Sequence, residues 1–421
     1  MFTAPARFAF PYMERVLKIV VAALLTAFVG YALAIHSAEI RKNVAERDSI
    51  AYWTAGRLLI HHQNPYDPGR VLEMERQQGY RADKPLVLRT PAWSLFLVLL
   101  LGFLTPLGAW GLWTAVSLGS LLVAMRLCWK MYAAGSVPRN LFVLIGYTFA
   151  PVPACLVAGQ MGLVLLLGVV LFLWWEKDRP FLAGVVLVLP FAKPHLLSLF
   201  WFALLIWMII RKKGRVALGF CVAITAAIAI SLLLDPSVFR HYREMLHRAA
   251  ISYEFIPALS GVLRLLFFRR FFWAQFMPLA LGLVWSMWFL FRNRNDWDWQ
   301  THGPALLIVS ILTTPYAWLT DEVVLLPAIL QAAALVYQRR SNIKASGRLV
   351  LLAFAFLDGL LLLLLRFKIP FSTGVYFWSS LVWFSWYVYA SRVHRYEHVP
   401  STRRVEAEIA TQNREIGRDT R

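Results

Sequence analysis

Charged residues are scarce in this chain, and acidic residues are the scarcest. Of 421 residues, 16% are charged and 59% are hydrophobic, with 23 acidic side chains against 43 lysines and arginines. The mean hydropathy is +0.58. This composition excludes an ordinary soluble globular protein. The net charge of +20 does not indicate nucleic-acid binding, because no nucleic-acid fold signature accompanies it.

The chain also has few cysteines and lacks several common motifs. Cys128, Cys155 and Cys221 all lie in apolar runs, so neither a disulfide framework nor a cysteine metal site is indicated. There is no phosphate-binding loop and no dinucleotide fingerprint. No Gly-rich or Ser-rich linker divides the sequence. We therefore predict one integral membrane domain over residues 1–391, followed by a basic cytoplasmic tail over 392–421.

Long apolar runs recur between residues 19 and 390. They predict an all-α polytopic membrane protein with about 12–13 transmembrane helices. The stretch 92–105 is short and bounded by prolines, so it is predicted to be re-entrant or incomplete. The apolar stretches are 19–35, 92–105, 108–127, 140–157, 161–175, 180–192, 195–210, 216–234, 272–292, 303–314, 321–338, 348–365 and 371–390.

Basic residues are concentrated in some of the turns between these spans. The turn 211–215 and the segment 339–348 are examples, and such turns are typical of the cytoplasmic side. This asymmetry predicts a multi-pass protein of a bacterial-type inner (plasma) membrane. It places the turns at 157–160 and 193–195, with the basic and aromatic run 237–271, outside the cytoplasm.

One acidic residue, Asp48, lies just after the first predicted span, in the stretch Arg47-Asp48-Ser49-Ile50-Ala51-Tyr52-Trp53. Two interpretations stay open. Asp48 caps a helix that begins at Ser49, because Asp is a preferred capping residue, or its carboxylate acts at the water edge of the membrane. The segment 49–62 is predicted to be an amphipathic helix lying in the membrane interface.

Two further polar residues interrupt apolar sequence. Lys193 follows 189–192 and precedes Pro194 and His195. A cation at such a helix break either binds a phosphate or extends its ammonium group to the membrane interface. Gln160 follows Gly159 at the start of a span. It either donates hydrogen bonds to a sugar or phosphate, or bonds the free backbone groups of the helix start.

The segment 313–322 places two acids, Asp321 and Glu322, at the mouth of a span. They are either substrate ligands or charges favoured at a helix start by the macrodipole. Tyr316 and Trp318 are either pocket residues or aromatic residues of the membrane interface. Arg89 and Arg264 are further cations on the predicted outer side, and each is equally explained as a surface charge.

A metal site is not predicted. His61, His62 and Asp67 lie close in sequence, but adjacent histidines on a helix point apart. Outer acids and cations without a nucleotide loop suit a substrate that is already activated and carried in the membrane. A polyprenyl-phosphate sugar fits this description. Its phosphate needs cations, its lipid needs a hydrophobic groove, and its acceptor hydroxyl needs a base.

The order of several short motifs between about residues 15 and 340 resembles glycosyltransferase family 87, which consists of integral-membrane transferases of the type C fold. The matching motifs are Asp48-Ser49-Ile50-Ala51-Tyr52, Asn64-Pro65-Tyr66-Asp67, Arg89-Thr90-Pro91-Ala92-Trp93, Ala158-Gly159-Gln160, Lys193-Pro194, Ser260-Gly261-Val262-Leu263-Arg264 and Thr314-Pro315-Tyr316-Ala317-Trp318. Some family members carry histidines after the late tryptophan, where this chain has Thr320-Asp321-Glu322.

The resemblance implies inverting transfer of a sugar, typically mannose, from a polyprenyl-phosphate donor to a hydroxyl of a glycan or glycolipid acceptor, outside the cytoplasm. Asp48 matches the family's catalytic acidic residue by position. We expect the donor phosphate to be bound by Lys193, Arg89, Arg264 and His195. We expect the sugar or acceptor to be bound by Tyr52, Asn64, Tyr66, Gln160, Tyr316, Trp318, Asp321 and Glu322.

No cofactor is required in this scheme, because lysine and arginine can neutralise the phosphate. A divalent cation stays open, since some type C enzymes use one. A transporter or flippase for lipids or glycolipids is the main alternative, because it would also contain broken helices and intramembrane charges. Against it, the sequence shows no internal repeat, and the polar residues cluster on the predicted outer side. A non-catalytic scaffold is a third class.

Overall fold

The computed structural model describes residues 44–133, 135–249, 255–343 and 345–395. The predicted first span, 19–35, and the predicted tail beyond residue 395 lie outside these ranges. The described ranges contain helices and no strand, which confirms the all-α prediction. Their helices are α1 (Asp48–Ile60), α2 (Pro68–Gln77), α3 (Pro106–Tyr132), α4 (Arg139–Thr148), α5 (Pro151–Ala158), α6 (Gly162–Trp175), α7 (Pro180–Val186), α8 (Ser198–Ile210), α9 (Gly214–Leu234), α10 (Val238–Arg248), α11 (Leu259–Phe267), α12 (Met277–Arg292), α13 (Trp299–Thr313), α14 (Leu326–Gln338), α15 (Ala345–Arg366) and α16 (Ser379–Arg395).

Fewer long apolar helices occur in the described ranges than the predicted 12–13 spans. Five helices are long and apolar enough to cross a membrane, or up to seven if each of two bent pairs counts as one span. The difference arises because several apolar runs form short helices, such as the 14 residues of α6. The stretch 92–105 contains only the short helical segments Ala92–Ser94, Phe96–Leu99 and Leu100–Phe103, as expected for an incomplete span.

The two bent pairs break at or near prolines. The helix axis bends by 54° between α4 and α5. It bends by 115° between Pro180–Ala192 and Pro194–Ile210. Proline cannot donate a backbone hydrogen bond and clashes with the preceding turn, so a helix is interrupted where it occurs. The sharper break leaves Lys193 between two 3₁₀ segments, Pro190–Ala192 and Pro194–Leu197. A lysine is thereby placed at the point where the chain reverses.

Helix α1 is enclosed by protein. Ten of its 13 residues are buried. Gly56 lies directly against the backbone of Val98, and Gly102 lies directly against the backbone of Gly56, so a Cβ atom at either glycine would collide with main-chain atoms. The prediction of an amphipathic helix lying in the membrane interface is therefore wrong. The two glycines allow the backbone of α1 to pack directly against the backbone of the segment 98–102.

Helix α6 occupies the centre of the described structure. Ten of its 14 residues are buried, and it packs against α3, α7 and the 3₁₀ turn Asp321–Leu325. A helix that is apolar on every face is buried on every face. Beside the start of α6, helix α1, the break at Lys193 and the turn Asp321–Leu325 approach one another, and polar residues from these segments meet there.

Candidate active site

Four of the predicted site residues form one hydrogen-bonded chain. The Nε2 of Gln160 donates to Oδ2 of Asp48. The Nζ of Lys193 donates to Oε1 of Gln160 at 3.1 Å and to Oδ1 of Asp321 at 2.7 Å. The order is therefore Asp48, Gln160, Lys193, Asp321. We call this set the polar chain.

Asp48 does not cap helix α1. The helix begins at Asp48 itself, its N-cap residue is Arg47, and no side chain makes a capping hydrogen bond. The Asp48 carboxylate instead accepts from Gln160, which precedes α6. The capping interpretation is therefore wrong, and a role for Asp48 in the polar chain replaces it.

The orientation of the Gln160 amide follows from its neighbours. The ammonium group of Lys193 can only donate, so the amide oxygen must face it. The hydroxyl of Tyr52 donates to the same oxygen at 3.1 Å, and it accepts from the backbone N–H of Met161 at 3.2 Å. The amide NH₂ group then faces Asp48, whose oxygen acts as the acceptor. The network thus uses Asp48 as a hydrogen-bond acceptor.

Asp48 combines partial exposure with a perturbed pKa. Its side chain is partly exposed. Burial by the surrounding protein raises its pKa, the hydrogen bond from Gln160 and the charge of Lys193 lower it, and the charge of Asp321 raises it again. Burial has the largest effect. A carboxylate that is poorly solvated is a stronger base than one in water, which suits proton abstraction.

Gly159 fixes the position of Gln160 relative to Asp48. Its φ is +71°, and a Cβ atom there would lie 3.0 Å from Cβ of Ser49, the neighbour of Asp48. Its carbonyl accepts from Nε1 of Trp113 at 2.9 Å, and the Trp113 ring contacts Tyr52 edge-on at a centroid distance of 5.0 Å. Sequence reasoning missed Trp113, because an aromatic residue in an apolar helix carries no signal of its own.

Lys193 and Asp321 form a shielded ion pair. The side chain of Asp321 is 0% exposed and that of Lys193 is 14% exposed. The second oxygen of Asp321 accepts from the backbone N–H of Trp318 at 3.1 Å. Lys193 therefore bonds partners inside the protein instead of extending to a membrane interface. Its binding of a donor phosphate remains a prediction.

An aromatic group adjoins this ion pair. The rings of His195 and Tyr316 lie 5.6 Å apart, and those of Tyr316 and Trp318 lie 6.1 Å apart. Thr314 donates to the carbonyl of His195 at 2.9 Å. The Nε2 of His195 is buried and makes no hydrogen bond within the described part of the chain. These contacts place three more predicted residues beside the polar chain.

Asn64 and Tyr66 make hydrogen bonds within the first loop. The Asn64 side chain accepts from the backbone N–H of Tyr66 at 2.9 Å, and the Tyr66 hydroxyl donates to the carbonyl of Thr90 at 3.1 Å. Arg89, the residue before Thr90, is exposed. Burial raises the pKa of Tyr316 while the charge of Arg89 lowers it, so Arg89 lies within electrostatic range of the aromatic group.

Glu322 and Arg264 make other contacts. Glu322 is buried, and its two oxygens accept from Ser379 at 2.6 Å and from Trp383 at 2.8 Å, both on α16. Its carboxylate thus faces α16, whereas that of Asp321 faces Lys193. Arg264 stacks over the ring of Phe272 at 5.5 Å. The predicted roles of these two residues in substrate binding stay predictions.

The sequence reasoning also missed Glu75 on α2. Its side chain is fully buried. One oxygen accepts from the backbone N–H of Leu86 at 3.1 Å, and the other has no partner within the described ranges. Burial, with smaller help from the charge of Asp48, raises the pKa of Glu75 to about 7. Glu75 is one of several charged residues on α2, and nothing in the pattern distinguishes it.

Two of the three residues considered as metal ligands, His62 and Asp67, bond separate parts of the chain. His62 bonds the carbonyl of Leu234 at 2.7 Å, and Asp67 accepts from the first backbone N–H groups of α2. Among the residues that the structure describes, no three His, Cys, Asp or Glu side chains are grouped to hold a metal ion. The expectation that no metal ion is required stays a prediction.

Comparison with known proteins gives one match. A family model described as Glycosyltransferase family 87 matches residues 90–315, which is more than half of the 421 residues. The matched region contains Gln160, Lys193 and His195, whereas Asp48 precedes it and Asp321 follows it. No curated protein and no solved structure matches the chain.

Proposed function

Because the chain belongs to glycosyltransferase family 87 and is a membrane glycosyltransferase, we propose that it transfers a sugar from a polyprenyl-phosphate donor to an acceptor hydroxyl, with inversion. Mannose is the sugar proposed first, and a glycan or glycolipid is the proposed acceptor. The observation that carries the proposal is the Gln160 amide, which holds a carboxylate on one side and an ammonium group on the other.

The proposed reaction is a single displacement. The acceptor hydroxyl gives its proton to Asp48, and its oxygen forms a bond to the anomeric carbon of the sugar. The bond between that carbon and the phosphate oxygen breaks on the opposite face, and its electron pair leaves with polyprenyl phosphate. Direct attack by a base-activated nucleophile inverts the anomeric configuration. Assistance by a general base contributes about 10²–10⁴ to the rate.

Lys193 can neutralise the leaving phosphate without releasing its present partners. An ammonium group has three N–H donors, of which two are directed at Gln160 and Asp321. The third is left for a phosphate oxygen. A charge-assisted bond in a poorly solvated site is stronger than the same bond in water. Arg89, exposed beside the aromatic group, is the proposed second cation.

We place the site outside the cytoplasm, because the basic turn at 211–215 favours the cytoplasmic side. The proposal is tested with cysteine substitutions in a cysteine-free background and an impermeant thiol reagent applied to intact cells. A cysteine at Arg81, which is exposed in the first loop, should react. A cysteine at Lys213 should not react. The reverse pattern would contradict the proposed topology.

The reaction is tested by incubating the purified protein in nanodiscs with labelled polyprenyl-phosphate mannose and an acceptor mixture. We expect release of polyprenyl phosphate and a product of inverted anomeric configuration. Nucleotide-activated mannose should give no product. Retention of configuration would contradict single displacement. Movement of the donor across a sealed vesicle membrane, with no release of polyprenyl phosphate, would favour the flippase alternative.

A further inference from the structure

Residues 260–276 form a hairpin with both ends attached to the candidate active site. It consists of α11, a short turn and the 3₁₀ segment Phe272–Phe276. The hydroxyl of Ser260 donates to the carbonyl of Thr314 at 2.8 Å, and the Gln275 amide donates to the carbonyl of Pro315. Both donors are buried. The hairpin is therefore bonded to two consecutive carbonyls of the segment that carries Tyr316 and Trp318.

The tip of this hairpin is apolar and exposed. Phe267 and Phe271 are each 68% exposed, and Trp273 is 76% exposed. Their neighbours Leu266 and Phe268 are exposed as well. A contiguous aromatic patch of this kind is costly in water and marks a surface that contacts lipid or another protein.

Two arginines lie within the aromatic tip. Arg269 and Arg270 are exposed, and neither forms an ion pair within the described part of the chain. The stretch 255–292 contains four arginines and no acidic residue. The patch therefore combines apolar surface with uncompensated positive charge, and its complement is an apolar partner that carries negative charge.

The position of the tip identifies that partner. The hairpin continues directly into a helix that is long and apolar enough to span a membrane, Phe272–Arg292. Tryptophan, phenylalanine and arginine at the end of a span are typical of the headgroup region, where aromatic rings reach the acyl chains and arginines meet phosphates. An anionic lipid supplies both the apolar surface and the negative charge.

We propose that the hairpin 260–276 is a docking surface for anionic phospholipid headgroups, at the same end of the protein as the candidate active site. Phe267, Phe271 and Trp273 insert at the acyl boundary, and Arg269 and Arg270 bind the headgroups. Through Ser260 and Gln275, the docked hairpin supports the segment beside Lys193. This inference goes beyond the proposed reaction and does not depend on its donor.

The test measures lipid contact directly, without measuring transfer. A Trp273→Cys variant, with the exposed Cys221 changed to serine, is labelled with a fluorophore and placed in nanodiscs. The bilayers contain equal small fractions of either brominated phosphatidylglycerol or brominated phosphatidylcholine. An arginine near a charged bilayer favours anionic lipid by roughly fivefold. We therefore expect at least about fivefold stronger quenching by the anionic lipid.

The double substitution Arg269→Gln/Arg270→Gln should abolish that preference. A matched control, Lys212→Gln/Arg215→Gln, neutralises two exposed charges on a different turn and should leave the preference unchanged. Equal quenching by both lipids in the labelled parent would overturn the proposal, as would quenching by neither lipid, which would mean that protein covers the tip. The same measurement on Asp48→Asn should match the parent, so failure of the proposed reaction remains distinguishable.

Discussion

The ion pair between Lys193 and Asp321 allows stability and donor binding to be separated. Asp321 is 0% exposed and Lys193 is 14% exposed, so removing the ammonium group leaves a buried carboxylate without its counter-ion. Breaking a buried pair in this way costs about 3–5 kcal/mol of the free energy of unfolding. We expect Lys193→Ala to be destabilised by this amount. Loss of transfer in that variant alone would therefore not demonstrate phosphate binding.

A double variant resolves the ambiguity. Lys193→Met/Asp321→Asn removes both charges while keeping side chains of similar size. Replacing a buried pair by neutral groups is often close to neutral for stability, so we expect most of the loss in Lys193→Ala to be recovered. Transfer should nevertheless stay low, because the donor phosphate still lacks its cation. Asp321→Asn alone should bind the donor better than the double variant.

The four proteins are compared by thermal unfolding, and their donor KM and kcat are measured under the same conditions. A double variant that is folded and has the donor KM and kcat of the parent would refute the role of Lys193 in phosphate binding. A double variant as unstable as Lys193→Ala would instead refute the reasoning about the buried pair.

Three further predictions concern residues around the site. Gly159→Ala should destabilise the protein by about 1–2 kcal/mol and slow transfer, because the alanine would be strained at φ +71° and its Cβ would press on Ser49. An unfolding temperature and a transfer rate equal to those of the parent would contradict this. Burial raises the folded-state pKa of Glu75 from 4.5 to about 7, so stability should be greatest below pH 4.5 and fall by up to about 3 kcal/mol as the pH rises to about 7. Glu75→Gln should remove this slope, measured as unfolding temperature against pH, and an unchanged slope would show that Glu75 is not its source. Glu322→Leu should lower stability by about 1–3 kcal/mol, because Nε1 of Trp383 loses its acceptor; an unchanged unfolding temperature would contradict that contact.

The chemical types of the site residues were predictable, but their connections were not. Asp48, Gln160 and Lys193 stand out in the sequence because each polar group interrupts an apolar or membrane-edge context. The bonds between them join residues 112 and 33 positions apart. No periodicity or spacing reports contacts over such distances. The direction of the Gln160 amide, which makes Asp48 an acceptor, depends on Tyr52 of α1 and on Lys193, two side chains from distant parts of the sequence.

Adjacent residues were also indistinguishable by sequence. Asp321 and Glu322 were predicted as a pair, yet they face Lys193 and α16 respectively. Successive side chains on a 3₁₀ helix project about 120° apart, and only the packing around the turn determines which one faces the site. The described ranges hold fewer long apolar helices than predicted spans for a related reason, because hydropathy does not distinguish an intact helix from one that is short or reversed at Lys193.

The most direct test of the account is the transfer rate of Asp48→Asn. Asparagine keeps the shape of the side chain and an oxygen that can accept from Gln160, but it cannot take the acceptor's proton at neutral pH. We predict a folded protein with the parent unfolding temperature and donor affinity, and with transfer reduced by at least about 10²-fold. Parent turnover in this variant, measured with a donor and an acceptor that the parent uses, would contradict the central claim that Asp48 is the base.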